Sequence, residues 1–165
     1  MFRLLLAFPA VIAVCLAPAQ AAAPRACLAH DLGARAAFEG GSGADEGGIA
    51  LRNRSETSCQ VYGRAIVDFL AGRERLAVKN VVGVATNGAR RTRAILLKPG
   101  DRAFIHARWS NWCGLRYRRV GVRIWIQTTE PRVPVRGTVS PPRCDNPAAS
   151  SPVAVGPFER VRRYP

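Results

Sequence analysis

Lysine is nearly missing from this chain. Of its 25 basic side chains only Lys79 and Lys98 are not arginines, and 11 acidic residues leave a net charge of +14. Met1 is the single methionine, which excludes a copper site built on methionine. His30 and His106 are the only histidines, so imidazole chemistry has two residues to draw on. No Cys-x-x-Cys pair is present, which argues against a zinc centre. No Gly-x-Gly-x-x-Gly opens a helix and no Gly-Lys-Ser/Thr follows a strand, so no phosphate-cradling nucleotide loop is expected. Gly41-Ser42-Gly43 sits in a glycine tract and is not a serine nucleophile elbow. Asp45-Glu46 and Asp68 are too isolated for paired-carboxylate catalysis. No cofactor and no metal is expected, and the chain reads as a non-enzyme.

Long apolar runs are also scarce. The one candidate, Leu4 to Ala17, falls short of the roughly 20 residues that span a bilayer. With Arg3 before it and small-x-small sites at Ala19–Ala21 and Ala21–Ala23 after it, Met1 to Ala23 reads as a signal peptide. Val14 precedes Cys15 where lipid attachment wants a small residue, so Cys15 belongs to the segment expected to be removed. Pro24 to Pro165 is then a single domain, secreted or periplasmic, with no membrane span.

That domain keeps Cys27, Cys59, Cys113 and Cys144, an even set that implies two disulfides in an oxidising compartment. Three connectivities are possible, and the sequence does not choose among them. The expectation is pairing of sequence neighbours, Cys27–Cys59 and Cys113–Cys144. Each would close a loop of about thirty residues and contribute about 3–4 kcal/mol by chain entropy. The arginine excess suits anionic partners, such as a phosphate-rich wall polymer, anionic lipid or nucleic acid. Coding bias would produce the same composition, and the arginines are scattered along the chain.

Period-two alternation dominates the rest. Leu32, Ala34, Ala36 and Phe38 mark a strand, and Gly40 to Gly48 reads as a flexible turn. Ile49 and Leu51 start a second strand that ends at Asn53-Arg54-Ser55, which also matches a glycosylation sequon. Cys59 to Gly63 and Ala65 to Leu70 read as short strands, and Gly72 to Arg75 as a turn. Val78, Val81, Val82 and Val84 can form another strand, with Asn87-Gly88 as a turn. Ala94 to Leu97 precedes a Pro99-Gly100 turn. Arg102 to Trp109 sets Ala103, Ile105, Ala107 and Trp109 on one side. Val120 to Ile126 alternates strictly. Pro131 to Pro142 keeps valine alternation between prolines and reads as an edge strand. Val153 and Val155 make a last short strand. Short strands at intervals of roughly 8–12 residues imply an all-β sandwich.

Trp109 to Gly114 puts two of the three tryptophans beside Cys113, where a sheet closes its core. Trp112, Arg116, Tyr117, Arg118 and Arg119 follow within a few residues and form the candidate binding cluster, because aromatics and arginines together suit stacking and anion contact. The alternative is structural, with Trp109 in the core, Trp112 on the disulfide and the arginines in water. A secreted hydrolase of nuclease type, with His30 and His106 as base and acid, is the competing functional reading. A third is an inhibitor presenting the loop from Trp112 to Arg118 to another protein.

Several short motifs occur in a familiar order. Cys27 is followed by Leu51-Arg52-Asn53, Cys59-Gln60-Val61-Tyr62-Gly63, Leu97-Lys98-Pro99-Gly100, Trp109-Ser110-Asn111-Trp112-Cys113-Gly114 and Arg143-Cys144 before the closing valine strand. Over Cys27 to Phe158 this order resembles the domain of unknown function 4232 family of exported bacterial proteins. The resemblance implies an immunoglobulin-like, antiparallel β-sandwich stabilised by two disulfides. It implies no catalytic residues. An anionic cell-envelope polymer or another exported protein is the partner class this leaves.

Overall fold

Alternation of small apolar and polar residues sets the strands, and burial follows it closely. The structure is a computed structural model that describes residues 24–40, 43–126 and 132–161. The expected signal peptide, Met1 to Ala23, lies outside the described residues, as does Pro131. A 3-10 turn at Ala29–Asp31 leads into β1 (Leu32–Gly40) and β2 (Ala44–Asn53). There follow β3 (Cys59–Val61), β4 (Ile66–Ala71), β5 (Glu74–Arg75), β6 (Lys79–Val82) and β7 (Ile95–Leu97). The last four are β8 (Arg102–Ser110), β9 (Val120–Trp125), β10 (Val133–Val139) and β11 (Pro152–Arg160). The described residues are thus all-β apart from that turn.

One nine-stranded sheet runs β5-β4-β9-β10-β1-β2-β8-β11-β6, and β3 pairs with β7 separately. The long sheet folds over on itself. Phe69 of β4 stacks on Trp109 of β8 with ring centroids 4.0 Å apart, and Phe38 of β1 meets Phe69 edge-on at 6.3 Å. The two ends of the sheet order also meet. The Asn80 amide of β6 accepts from Val67 N–H (2.8 Å) and donates to Val67 C=O (2.9 Å), doing for β4 what a neighbouring strand would. Between the halves lie Ile49, Leu51, Val67, Phe69, Ala103, Ile105, Trp109, Ile124 and Val153, all without solvent exposure. The arrangement is compatible with an immunoglobulin-like sandwich. It is not strictly antiparallel, since β1–β10 and β11–β6 pair in parallel.

Both disulfides join sequence neighbours as expected, Cys27–Cys59 with Cα atoms 4.8 Å apart and Cys113–Cys144 at 4.6 Å. The first fixes the amino-terminal segment to the small β3–β7 sheet. The second joins the loops that leave β8 and enter β11.

Three expectations need correction. The turn read over Gly40 to Gly48 is short, because β1 runs to Gly40 and β2 starts at Ala44. The glycines continue the strand where neighbours leave no room: a Cβ on Gly48 would lie 2.3 Å from the Phe104 ring. The segment read as an edge strand, Pro131 to Pro142, contains β10, which lies inside the sheet between β9 and β1. β1 engages it only at Val135 and Arg136, past Pro134, and a bulge interrupts its ladder to β9 between Val135 and Thr138. Gly137 in that bulge has φ 102°, a backbone conformation that favours glycine. The closing strand at Val153 and Val155 is longer than expected and reaches Arg160.

Candidate anion-binding face

Alternation also decides what the sheet shows to water. In β9 the buried residues are Val120, Val122 and Ile124, so Gly121, Arg123 and Trp125 point outward. In β4 the inward residues Val67 and Phe69 leave Ile66, Asp68 and Leu70 on the outer side. Asp68 nevertheless has no solvent exposure. It is covered from outside: Arg75 Nε lies 2.9 Å from its Oδ1 as an ion pair, and Arg132 Nη1 lies 3.4 Å from its Oδ2. Trp125 Nε1–H donates to Oδ2 at 3.1 Å, and the Arg132 guanidinium sits 4.3 Å above the Trp125 ring. Arg123 is the register partner of Asp68 across β4–β9.

The same outer surface continues across the neighbouring strands. Arg119, just before β9, donates to Thr138 Oγ1 of β10 at 3.4 Å. Arg136 of β10 stands directly beside Arg35 of β1, and both are exposed. Like charges side by side in a sheet repel. Arg35, Arg75, Arg119, Arg123, Arg132 and Arg136 thus share one face with the buried Asp68 in its midst. The opposite half, on β2, β8 and β11, mixes signs. There Glu46 pairs with His106 (3.1 Å) and has Arg108 as its register partner, and Glu159 accepts from Thr86 N–H (2.9 Å), while Arg52 and Arg102 stand opposite each other at the far end of β2–β8. Glu39, outward on β1 four residues from Arg35, pairs in register with Glu46.

The candidate cluster of the loop after β8 divides in two. Trp112 is half-buried, tilts against Trp109 with centroids 5.9 Å apart, and donates Nε1–H to Leu115 C=O at 2.9 Å. Tyr117 packs on the core. Both aromatics serve the fold. Arg116, Arg118 and Arg119 are exposed, and Arg119 leads directly into the arginine face. The structure does not bring the two histidines together. His30 is exposed in the 3-10 turn, 3.7 Å from Asp31, whereas His106 faces Gly48 on β2. Leu32 faces Asn53, and the five steps along β2 from there to Gly48 span about 17 Å. No group of three or more His, Cys, Asp or Glu side chains among the described residues forms a metal site.

The sequence matches the family described as Domain of unknown function (DUF4232) over residues 27–159. The chain belongs to the DUF4232 family. No curated protein and no solved structure matches it.

Within this DUF4232 domain several polar residues carry structure that sequence reading passed over. Asn111 has φ 54°, the only positive φ outside glycine among the described residues. Its Oδ1 accepts from Asp145 N–H (3.0 Å) and Asn146 N–H (2.8 Å), and its Nδ2 donates to Asn146 C=O (2.9 Å) and Ser150 C=O (3.2 Å). It pins the loop that carries Cys144 beneath the arginine-bearing one. Asn53 is fully buried, donating to Thr57 C=O and Leu97 C=O and accepting from Ser55, so the sequon is a structural turn. Asp31 receives Arg25 through both guanidinium nitrogens (2.6 and 3.0 Å) and the Leu28 N–H at 2.7 Å. The Arg25 hydrogen bonds, with Leu28 and the nearby positive charge, hold its carboxyl below the usual range. Burial pushes the Asp45 carboxyl up. Only the placement of Asp68 within an apolar run hinted at the centre of the face, because a carboxylate there needs cations the sequence does not specify.

Proposed function

We propose that this DUF4232 domain is an exported, non-catalytic binding module whose arginine face holds an anionic, phosphate-bearing polymer of the cell envelope. The observation that carries the reading is the gathering of six outward arginines on β5, β4, β9, β10 and β1, three of them around the buried Asp68 and two, Arg35 and Arg136, side by side. A surface that keeps like charges adjacent lowers its energy when an anionic partner supplies the countercharge. Two disulfides fit an oxidising compartment, and no helix among the described residues is long and apolar enough to cross a membrane.

The test is binding of the protein to poly(glycerol phosphate) and to a neutral polysaccharide of similar length. Retention on the phosphate polymer alone is expected, weakening steeply between about 0.1 and 1 M salt as the screening length falls from about 10 to 3 Å. Arg35→Ser with Arg136→Ser should weaken it further. Equal retention on the neutral polymer, or none on either, contradicts the reading.

A further inference from the structure

Asp68 does more than neutralise its neighbours. Its carboxylate is fully buried on the outer side of the sheet and is approached by Arg75 and Arg132 from two directions, with Trp125 donating between them. Such a group draws both guanidiniums to one point on the outer face. Arg75 approaches it through Nε at 2.9 Å and Arg132 through a terminal nitrogen at 3.4 Å, and each arginine has five donors. With Arg123 beside it in register, three cations share one carboxylate. Among the described residues the three cations around this point outnumber its carboxylate by two charges, and their donors have the planar fork that suits phosphate oxygens.

We propose that Arg75, Arg123 and Arg132, positioned by Asp68, form a subsite for a dianionic phosphate group: a phosphomonoester or inorganic phosphate. A phosphomonoester carries about −1.5 to −2 at neutral pH, matching that excess of two, whereas a diester or a sulfate ester carries only one. Asp68 is the positioning residue, and the arginines touch the ligand. The inference rests on reading this face as anion-binding, but it concerns a site smaller than the polymer surface.

The Trp125 indole N–H reports directly on the subsite, because it is bonded to Asp68, while the Trp109 indole, bonded to Ser151 at 2.9 Å inside the core, reports on the fold. Titrations of the labelled full domain with glycerol 3-phosphate, inorganic phosphate and dimethyl phosphate are followed through these two signals. The Trp125 signal should move with the first two, with at least about tenfold weaker response to the diester. Binding should weaken as pH falls through the second phosphate ionisation near 6. Tighter binding of glycerol 3-phosphate assigns a polymer end group; tighter or equal binding of inorganic phosphate assigns the free ion.

Asp68→Asn adds one positive charge to the face. Charge alone would strengthen phosphate binding, whereas positioning requires it to weaken by about tenfold. Arg132→Gln should weaken binding similarly and serves if the Trp109 signal shows that Asp68→Asn misfolds. Unchanged or tighter binding in a folded Asp68→Asn, or equal response to the diester, overturns the subsite. Arg35→Ser with Arg136→Ser should impair polymer retention while sparing glycerol 3-phosphate. A parent protein that binds glycerol 3-phosphate yet is not retained on poly(glycerol phosphate), or a double variant retained as well as the parent, would therefore sink the polymer reading alone.

Discussion

Asn111 shows how much one polar side chain fixes here. It adopts a left-handed backbone and four of its hydrogen bonds hold the loop from Asp145 to Ser150. Asn111→Gly keeps the backbone conformation without the bonds, and Asn111→Ala loses both. Urea unfolding should place the glycine variant about 1–3 kcal/mol below the parent and the alanine variant lower still. Asp31 carries the pH dependence. Its folded pKa lies below the unfolded value, so its contribution is fully present above the ordinary carboxylate range and is lost as pH falls through the depressed value. Asp31→Asn should therefore be less stable than the parent at pH 7, with the gap closing in acid. Asp45 acts in the opposite sense: burial raises its pKa, so its contribution fades as pH rises through the raised value. None of these residues was legible in the sequence. Short polar side chains take their meaning from loops that approach from far along the chain.

At the scale of elements, the sequence was most readable where strands alternate cleanly. Ala103, Ile105, Ala107 and Trp109 of β8 are all fully buried, as their spacing implied. Val120, Val122, Ile124 and Ile126 behave alike. Reading failed where backbone contacts override local propensity. Prolines marked β10 as an edge, but its bulge and Gly137 let it sit inside the sheet. The glycine tract looked like a loop, yet Gly47 and Gly48 complete β2 where ring and backbone neighbours press close. The closure of β4 against β6 through Asn80 was likewise invisible, since it depends on one amide replacing a strand. Asn80→Ala leaves Val67 N–H and C=O without that partner and should destabilise the domain by about 1–3 kcal/mol, read as a lower urea midpoint. Asn80→Asp keeps the acceptor but loses the donor and should fall between.

For the whole molecule, the charge imbalance was plain from composition but its distribution was not. Scattered arginines converge on one outer surface only because β4, β9, β10 and β1 become neighbours in an order unrelated to their sequence order. Of the residues singled out from the sequence, Arg119 lies on that surface, Arg116 and Arg118 lie in the loop that leads to it, and Trp112 and Tyr117, both partly buried, pack against the core. The fold class and the presence of two disulfides could be read before the structure, and the expected pairing is the one found although the sequence left three open, whereas the face could not be read. The most direct measurement is amide chemical-shift mapping of the labelled domain during titration with poly(glycerol phosphate). The account predicts shifts concentrated on β4, β9, β10 and β1 around Arg35, Arg123 and Arg136. Shifts centred on β2 and β8 near Glu46 and His106, or none at saturating polymer, would contradict it.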